Sequence, residues 1–157
     1  MAWISAPRKS SRVVVPGSRI VETHVPDLLI LVAEDQPDIR EMMRIFLEME
    51  GYAVIEAKDG RDAISMVVDH RPALVFMDIA MPVVDGVEAT KAIREIPEVA
   101  SVPIVAVSAY GSYFRELAHD AGCDLLLRKP LDLDALRPVI ERLIHRSTGD
   151  RRHEKRR

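Results

Sequence analysis

Apolar runs and amphipathic segments alternate along the middle of the chain. The first apolar run, residues 28–33, is followed by polar residues and then by apolar residues at helical spacing from Ile39 to Met49. An unbroken apolar run is typical of a buried strand, and the spacing after it is typical of an amphipathic helix. The alternation continues with four more strand segments, at residues 52–56, 73–77, 104–107 and 125–127. The pattern predicts five strands alternating with five helices.

Strands that are apolar throughout and joined by helices favour a parallel sheet that is covered on both faces. We therefore predict an α/β fold, a doubly wound five-stranded parallel sheet in a three-layer sandwich. Gly51 and Gly122 follow the first and fourth helices, where a left-handed residue commonly ends a helix. Pro138 falls a few residues into the last predicted helix, so we expect that helix to begin late or to bend slightly.

Charge separates the ends of the chain from its middle. The formal net charge of the 157 residues is -3, but residues 1–24 contain four basic residues and one acidic residue, and residues 145–157 contain six and two. The middle is therefore acidic and both ends are basic. We predict a flexible basic arm over 1–26, one domain over 27–146 and a disordered basic tail over 147–157.

Several classes of protein are disfavoured by the composition. No apolar run approaches the roughly 18 residues of a membrane span, and the N-terminus lacks a secretory signal, so we expect a cytoplasmic protein without a membrane partner. Cys123 is the single cysteine, which excludes an internal disulfide and a thiolate zinc site. The sequence contains neither of the two Gly-rich patterns that bind nucleotides, G-x-x-x-x-G-K-S/T and G-x-G-x-x-G. Basic ends are most often solvated, and nucleic acid is not an expected partner.

Polar residues follow four of the five predicted strands. Glu34 and Asp35 follow the first, Asp78 the third, Ser108 the fourth and Lys129 the fifth. Ligands of doubly wound folds bind outside the carboxyl ends of the strands, so these side chains are predicted to converge. Taken singly, each has an ordinary interpretation as a helix cap, a loop hydroxyl or a solvated charge. Their coincidence at one edge favours a site.

Three neighbouring carboxylates repel one another, and burial raises their pKa values unless a cation neutralises them. Carboxylate oxygens suit Mg²⁺, which commonly also takes phosphate oxygens. A lysine and a serine hydroxyl can contact a phosphoryl group, and an aspartate can act as the nucleophile to form an acyl phosphate. The predicted edge therefore contains the groups that phosphoryl transfer requires.

Four segments carry a resemblance to a known family. They are Glu34-Asp35, the segment Met-Asp-Ile-Ala-Met-Pro-Val-Val-Asp-Gly at 77–86, Val107-Ser108-Ala109 and Arg128-Lys129-Pro130. Together they resemble the receiver domain of two-component response regulators, here as a stand-alone, single-domain regulator. The resemblance covers about 120 residues of the chain. It implies the flavodoxin-like strand order 2-1-3-4-5.

The resemblance also implies a metal site and a phosphoacceptor. Asp78 corresponds to the acceptor of a phosphoryl group from a histidine kinase or a histidine phosphotransfer protein. Asp78 is also part of the implied Mg²⁺ site. Asp35 corresponds to a direct Mg²⁺ ligand, Glu34 to a ligand that acts through water, and Ala80 to the residue whose backbone carbonyl completes the protein ligands. Such a module is not an enzyme, beyond slow self-catalysed phosphotransfer and dephosphorylation.

The resemblance gives roles to two more residues and shows one departure. Ser108 corresponds to a hydroxyl that moves to the phosphoryl group, and Lys129 corresponds to the cation that contacts this group. The resemblance also implies that the Lys129–Pro130 bond is cis. The family usually has an aromatic residue where this chain has Leu126. We hypothesise that Tyr110 substitutes for that aromatic residue in signalling.

Partners and competing functions follow from the same residues. The resemblance implies a histidine kinase or phosphotransfer protein, an unknown downstream protein and, as one mode of assembly, a homodimer through the fourth and fifth helices. A haloacid dehalogenase-type phosphatase is disfavoured because it needs a second aspartate where this chain has Ala80. The remaining alternative is a pseudo-receiver, a phosphorylation-independent protein-binding module, which would be expected to lack one of the acidic pair, the acceptor or the lysine.

Overall fold

The computed structural model describes the backbone of residues 28–154 and the side chains of residues 28–147. Within that part of the chain five strands alternate with five helices, as predicted. The strands are β1 (Leu29–Ala33), β2 (Ala53–Ala57), β3 (Leu74–Asp78), β4 (Ile104–Ser108) and β5 (Leu125–Arg128). The helices are α1 (Pro37–Met49), α2 (Gly60–His70), α3 (Gly86–Arg94), α4 (Tyr113–Ala121) and α5 (Leu133–Glu154).

The strands form one parallel sheet in the order β2-β1-β3-β4-β5. The central strands β3 and β4 are buried along their whole length, whereas β2 and β5 at the edges are mostly half-buried. This gradient agrees with the unbroken apolar runs in the sequence, since a central strand must be apolar on both faces. The predicted doubly wound class and strand order are confirmed.

Helices cover both faces of the sheet and divide the core into two layers. On one face, α2 and α3 pack small side chains such as Ala63 and Ala89 against the strands, and α4 completes this layer with Ala118. On the other face, α1 and α5 pack larger ones, including Leu47 and Ile140. The three-layer arrangement predicted from the alternation is therefore present.

Local signals in the sequence set several helix ends. Gly51 and Gly122 have φ values of 93° and 100°, the left-handed conformation predicted for them after α1 and α4. Asp59 and Asp85 cap α2 and α3 by accepting hydrogen bonds from backbone N–H groups three residues later. These caps fix where the chain leaves the carboxyl ends of the strands.

The last helix differs from the prediction. It continues to Glu154, so the backbone is helical over 147–154 where a disordered tail was predicted. Extending an established helix costs little per residue, and Gly149 is too weak a breaker to end it. Pro138 lies inside the helix, which begins at Leu133, so the proline falls early in the helix as the sequence predicted. The predicted arm over 1–26 and residues 155–157 lie outside the described residues.

Candidate functional site

Three carboxylates meet at the carboxyl end of the sheet. Glu34 and Asp35 follow β1, and Asp78 ends β3, the strand that pairs with β1. One oxygen from each lies within 4.8 Å of the others. Glu34 and Asp78 are buried, with 2% and 4% of their surface exposed, and Asp35 is half-buried. The structure thus brings together the three acids predicted as a cluster, in a place that is poor in solvent.

Lys129 extends into the same cluster from the end of β5. Its Nζ donates to Glu34 Oε2 at 2.9 Å and lies 3.4 Å from Asp78 Oδ2. The Lys129–Pro130 bond is cis, as the resemblance implied. Two strands, β3 and β4, separate β5 from β1, so the long lysine side chain spans the edge of the sheet. One ammonium group faces three carboxylates, which leaves the cluster with an excess of negative charge.

Burial and the neighbouring charges shift the pKa values of Asp78 and Lys129. The pKa of Asp78 is raised to about 7, mainly by burial and then by the charge of Glu34, while the charge of Lys129 acts in the opposite direction. For Lys129, burial lowers the pKa, but the hydrogen bond to Glu34 and the charge of Asp78 outweigh it, so the pKa lies above its usual value. An additional cation beside these carboxylates would relieve the repulsion that raises the pKa of Asp78.

Ser108 lies at the same edge because it ends β4, which pairs with β3. Its side chain is buried, and its Oγ accepts a hydrogen bond from the Tyr110 N–H at 3.0 Å. Its carbonyl accepts from the Lys129 N–H at 2.9 Å, which ties β4 to the start of the next loop. The buried hydroxyl therefore accepts from one backbone N–H and the carbonyl of the same residue from another, and Tyr110, two residues later, is 65% exposed.

The loop after Asp78 is folded tightly against that residue. The Ala80 N–H donates to Asp78 Oδ1 at 3.2 Å, and the Gly86 N–H donates to the Ile79 carbonyl at 2.9 Å. A Cβ at position 86 would overlap the Asp78 carbonyl, so only glycine fits there. Val83 adopts a φ of 68°, an unfavourable conformation for a β-branched residue. The predicted role of the Ala80 carbonyl stays a prediction.

Arg40 belongs to the surroundings of the site and was not predicted. Its Nη1 donates to the Glu34 carbonyl at 2.7 Å, and its Nε lies 3.3 Å from Glu56 Oε1. The Gln36 N–H donates to Glu34 Oε1 at 3.1 Å, so both oxygens of that carboxylate have partners. A separation of six residues between Arg40 and Glu34 is no recognised pattern, and the sequence contained no signal for this contact.

The strand order, the three layers and the acid cluster define a CheY-like α/β domain. The sequence model of the response regulator receiver domain matches residues 30–141. The chain belongs to the receiver domain family of two-component response regulators.

Curated relatives carry regulator names. The chain is 36% identical over 122 residues to the response regulator MprA of Mycolicibacterium vanbaalenii. This aligned region covers 77% of this chain and 52% of MprA. It is 30% identical over 105 residues to the polar-differentiation response regulator DivK of Brucella anthropi. That aligned region covers 66% of this chain and 85% of DivK. The chain thus spans about half the length of MprA and most of DivK.

Solved structures agree with the family. The chemotaxis response regulator CheY4 of Vibrio cholerae superposes with a TM-score of 0.70 at 28% identity, over 74% of this chain and 98% of CheY4. The receiver domain of the sensor histidine kinase PA1611 from Pseudomonas aeruginosa superposes with a TM-score of 0.72 at 32% identity, over 76% and 98%. That PA1611 structure contains a magnesium ion coordinated in the active-site cleft. Among the described residues of the present chain, no helix is long and apolar enough to cross a membrane.

Proposed function

We propose that this receiver domain is a phosphoacceptor in which Asp78 takes a phosphoryl group from a phosphohistidine of a histidine kinase or phosphotransfer protein. A carboxylate oxygen of Asp78 forms a bond to phosphorus, the phosphorus–nitrogen bond breaks, and its electron pair returns to the imidazole. The product is an acyl phosphate on Asp78. The observation that supports this best is the cluster of three carboxylates within 4.8 Å that a single lysine neutralises only in part.

Mg²⁺ fits the donor set of this site. Carboxylate and carbonyl oxygens are its usual protein ligands, and the repulsion that raises the pKa of Asp78 is what a divalent cation offsets. Asp35 and Asp78 would hold the ion directly, Glu34 through water, and the Ala80 carbonyl would complete the set. Bound Mg²⁺ would neutralise charge on the transferring phosphoryl oxygens. The magnesium ion in the related PA1611 cleft supports the same assignment.

Lys129 and Ser108 would stabilise the product. Lys129 now contacts Glu34 and Asp78, so its ammonium lies within reach of a phosphoryl oxygen formed on Asp78. The Ser108 hydroxyl accepts from the Tyr110 N–H, which does not use its own proton, so the hydroxyl can donate to such an oxygen. These two contacts would couple phosphorylation to the β4–α4 loop.

The surface that reads this change would include the aromatic side chains after β4. The Tyr110 and Phe114 rings lie 6.2 Å apart, and Tyr113 meets Phe114 edge to face at 5.0 Å. Tyr110 and Tyr113 are 65% and 75% exposed and are available to a downstream protein or to the fourth and fifth helices of a second copy. A cytoplasmic location would give access to both kinase and target.

Labelling with acetyl phosphate tests the acceptor directly. The full chain with Mg²⁺ should gain the mass of one phosphoryl group, and Asp78→Asn should gain none. Asp69→Asn, an exposed aspartate on α2, is the matched control and should be labelled like the wild type. Labelling should also stop when Mg²⁺ is removed with a chelator. A wild-type chain that binds Mg²⁺ but takes no phosphoryl group would favour the pseudo-receiver instead.

A further inference from the structure

The link between β1 and α1 carries two of the three clustered acids, and it begins a helix without a side-chain cap. It consists of Glu34, Asp35 and Gln36. Gln36 is the N-cap residue of α1, but its side chain makes no cap hydrogen bond. In α2 and α3, by contrast, the N-cap aspartates accept from backbone N–H groups and hold the start of the helix. The geometry of the β1–α1 link therefore depends on other contacts.

Arg40 supplies one of these contacts from the first turns of α1. The Glu34 N–H still continues the β1 ladder by donating to the Ala57 carbonyl at 3.0 Å, but the Glu34 carbonyl accepts from Arg40 Nη1 at 2.7 Å. This carbonyl and the N–H of Asp35 belong to one planar peptide group. A bond that orients the carbonyl therefore also orients the backbone from which the Asp35 side chain projects.

The guanidinium of Arg40 is itself held from a second side. Its Nε lies 3.3 Å from Glu56 Oε1 on β2, and the other oxygen of Glu56 lies 3.7 Å from Arg44 Nε. The Arg40 side chain is 21% exposed, so most of its surface is shielded from water. A planar guanidinium with two fixed partners is a rigid donor. Arg40 thus connects β2 with the link that carries the acid pair.

The charge of Arg40 and its hydrogen bond would act on a bound cation in opposite directions. A positive guanidinium repels a divalent cation, so by charge alone Arg40 would weaken the binding of Mg²⁺. The bond to the Glu34 carbonyl would strengthen that binding, because it holds two carboxylate ligands in place. The sign of the change in affinity when Arg40 is replaced therefore tells the two effects apart.

We infer that Arg40 is a positioning residue for the metal site: it holds the Glu34 carbonyl and thereby orients Glu34 and Asp35 toward a Mg²⁺ ion. The inference rests on the Mg²⁺ site of the proposed function. Loss of a group that orients metal ligands commonly weakens metal binding by about 10- to 100-fold. A residue that only stabilised the fold would change the free energy of unfolding of the metal-free chain, but not the affinity of the folded chain for the ion.

Titration of the full chain with Mn²⁺, which shares the preference of Mg²⁺ for oxygen ligands, tests this role. Electron paramagnetic resonance measures the free Mn²⁺, and competition then gives the affinity for Mg²⁺. Arg40→Met keeps an unbranched side chain but removes the donors, and it should bind Mg²⁺ about tenfold more weakly than wild type. Arg40→Lys keeps one donor for the carbonyl, so its affinity should lie between the two.

The matched control is Arg44→Met, which removes the other guanidinium beside Glu56 and leaves the bond from Arg40 to the Glu34 carbonyl in place. It should bind Mg²⁺ as tightly as wild type or slightly more tightly. Equal or tighter binding by Arg40→Met, with urea unfolding showing that the variant is folded, would overturn the inference.

Labelling with acetyl phosphate separates this inference from the proposed function. A wild type that binds Mg²⁺ but is not labelled would overturn the phosphoacceptor, and weaker binding by Arg40→Met would still support the positioning role. A wild type that is labelled, together with unchanged Mg²⁺ affinity in Arg40→Met, would overturn the positioning role alone. A wild type that binds no Mg²⁺ would overturn both.

Discussion

Charged side chains link neighbouring elements at both ends of the sheet, but the two ends differ in how their charges are balanced. Near the amino ends of β4 and β5, Arg94 donates to the carbonyls of Ala100, Val102 and Gly122 at 2.7–2.9 Å. It also pairs with Asp124 at 3.2 Å, and the same carboxylate oxygen accepts from the Ile104 N–H at 2.9 Å. One positive and one negative group are thus fully engaged.

At the carboxyl ends, Lys129 contacts Glu34 and Asp78, which belong to a cluster that also contains Asp35. The negative charge exceeds the positive charge, and the pKa of Asp78 is raised by burial and by the charge of Glu34. A balanced network needs no further ligand and stabilises the fold, whereas an unbalanced buried cluster costs stability until a cation binds. Charge balance therefore distinguishes the Arg94–Asp124 pair from the carboxylate cluster.

Among the substitutions that test this contrast, the largest expected change in the free energy of unfolding is at the balanced, amino end of the sheet. Arg94→Met should lower the free energy of unfolding by about 2–4 kcal/mol, because three backbone carbonyls and Asp124 lose their charged donor together. Urea unfolding of the full chain measures it. Lys91→Ala removes an exposed pair with Glu88 on the same helix and should cost less than about 1 kcal/mol. Similar losses for both variants would contradict a structural role of Arg94.

At the unbalanced, carboxyl end of the sheet, removal of a charge is expected to stabilise the chain rather than destabilise it. Asp78→Asn should raise the free energy of unfolding of the metal-free chain by about 1–2 kcal/mol above neutral pH, since it removes one of the repelling buried charges. The measurement is the same urea titration with a chelator present. Saturating Mg²⁺ should stabilise the wild type and reverse the order of the two chains. Loss of stability in metal-free Asp78→Asn would show that the cluster is not repulsive.

The pH dependence of that difference is a sharper check. Asp78 has a pKa of about 7 in the folded chain, against an ordinary value of 3.8. Between these values the folded state holds a proton that the unfolded state has released, so stability from this group is present at low pH and is lost as pH rises through about 7. The advantage of Asp78→Asn over the metal-free wild type should therefore shrink as pH falls below 7. Because both chains share every other titrating group, a constant difference would place the pKa of Asp78 elsewhere.

Much of the fold and the site could be predicted because strand ends are visible in the sequence. Asp78 directly follows one apolar run, and Lys129 lies near the end of another, before a proline. Because the βα alternation predicts parallel strands, both residues are expected at the same edge of the sheet. Arg40 and Arg94 could not be predicted in the same way. Their partners are backbone carbonyls and single carboxylates elsewhere in the chain, and a long side chain that reaches across loops leaves no periodic pattern. The extent of α5 was missed because charged residues alone do not distinguish a helix from a tail.

Backbone strain is expected to have the smallest effect on the free energy of unfolding. It also differs between the two ends of the sheet. In the loop beside Asp78, the β-branched residue Val83 has a φ of 68°, whereas the described left-handed residues at the amino end are Gly51, Gly122 and the unbranched Arg71, whose φ is 47°. Val83→Gly should therefore raise the free energy of unfolding by about 0.5–1 kcal/mol, the left-handed penalty less the greater freedom of unfolded glycine. The same substitution at Val68, within α2, should instead destabilise the chain, because glycine there only adds entropy to the unfolded state. If Val83→Gly also destabilised the chain in thermal unfolding, the loop beside the acceptor would not be strained.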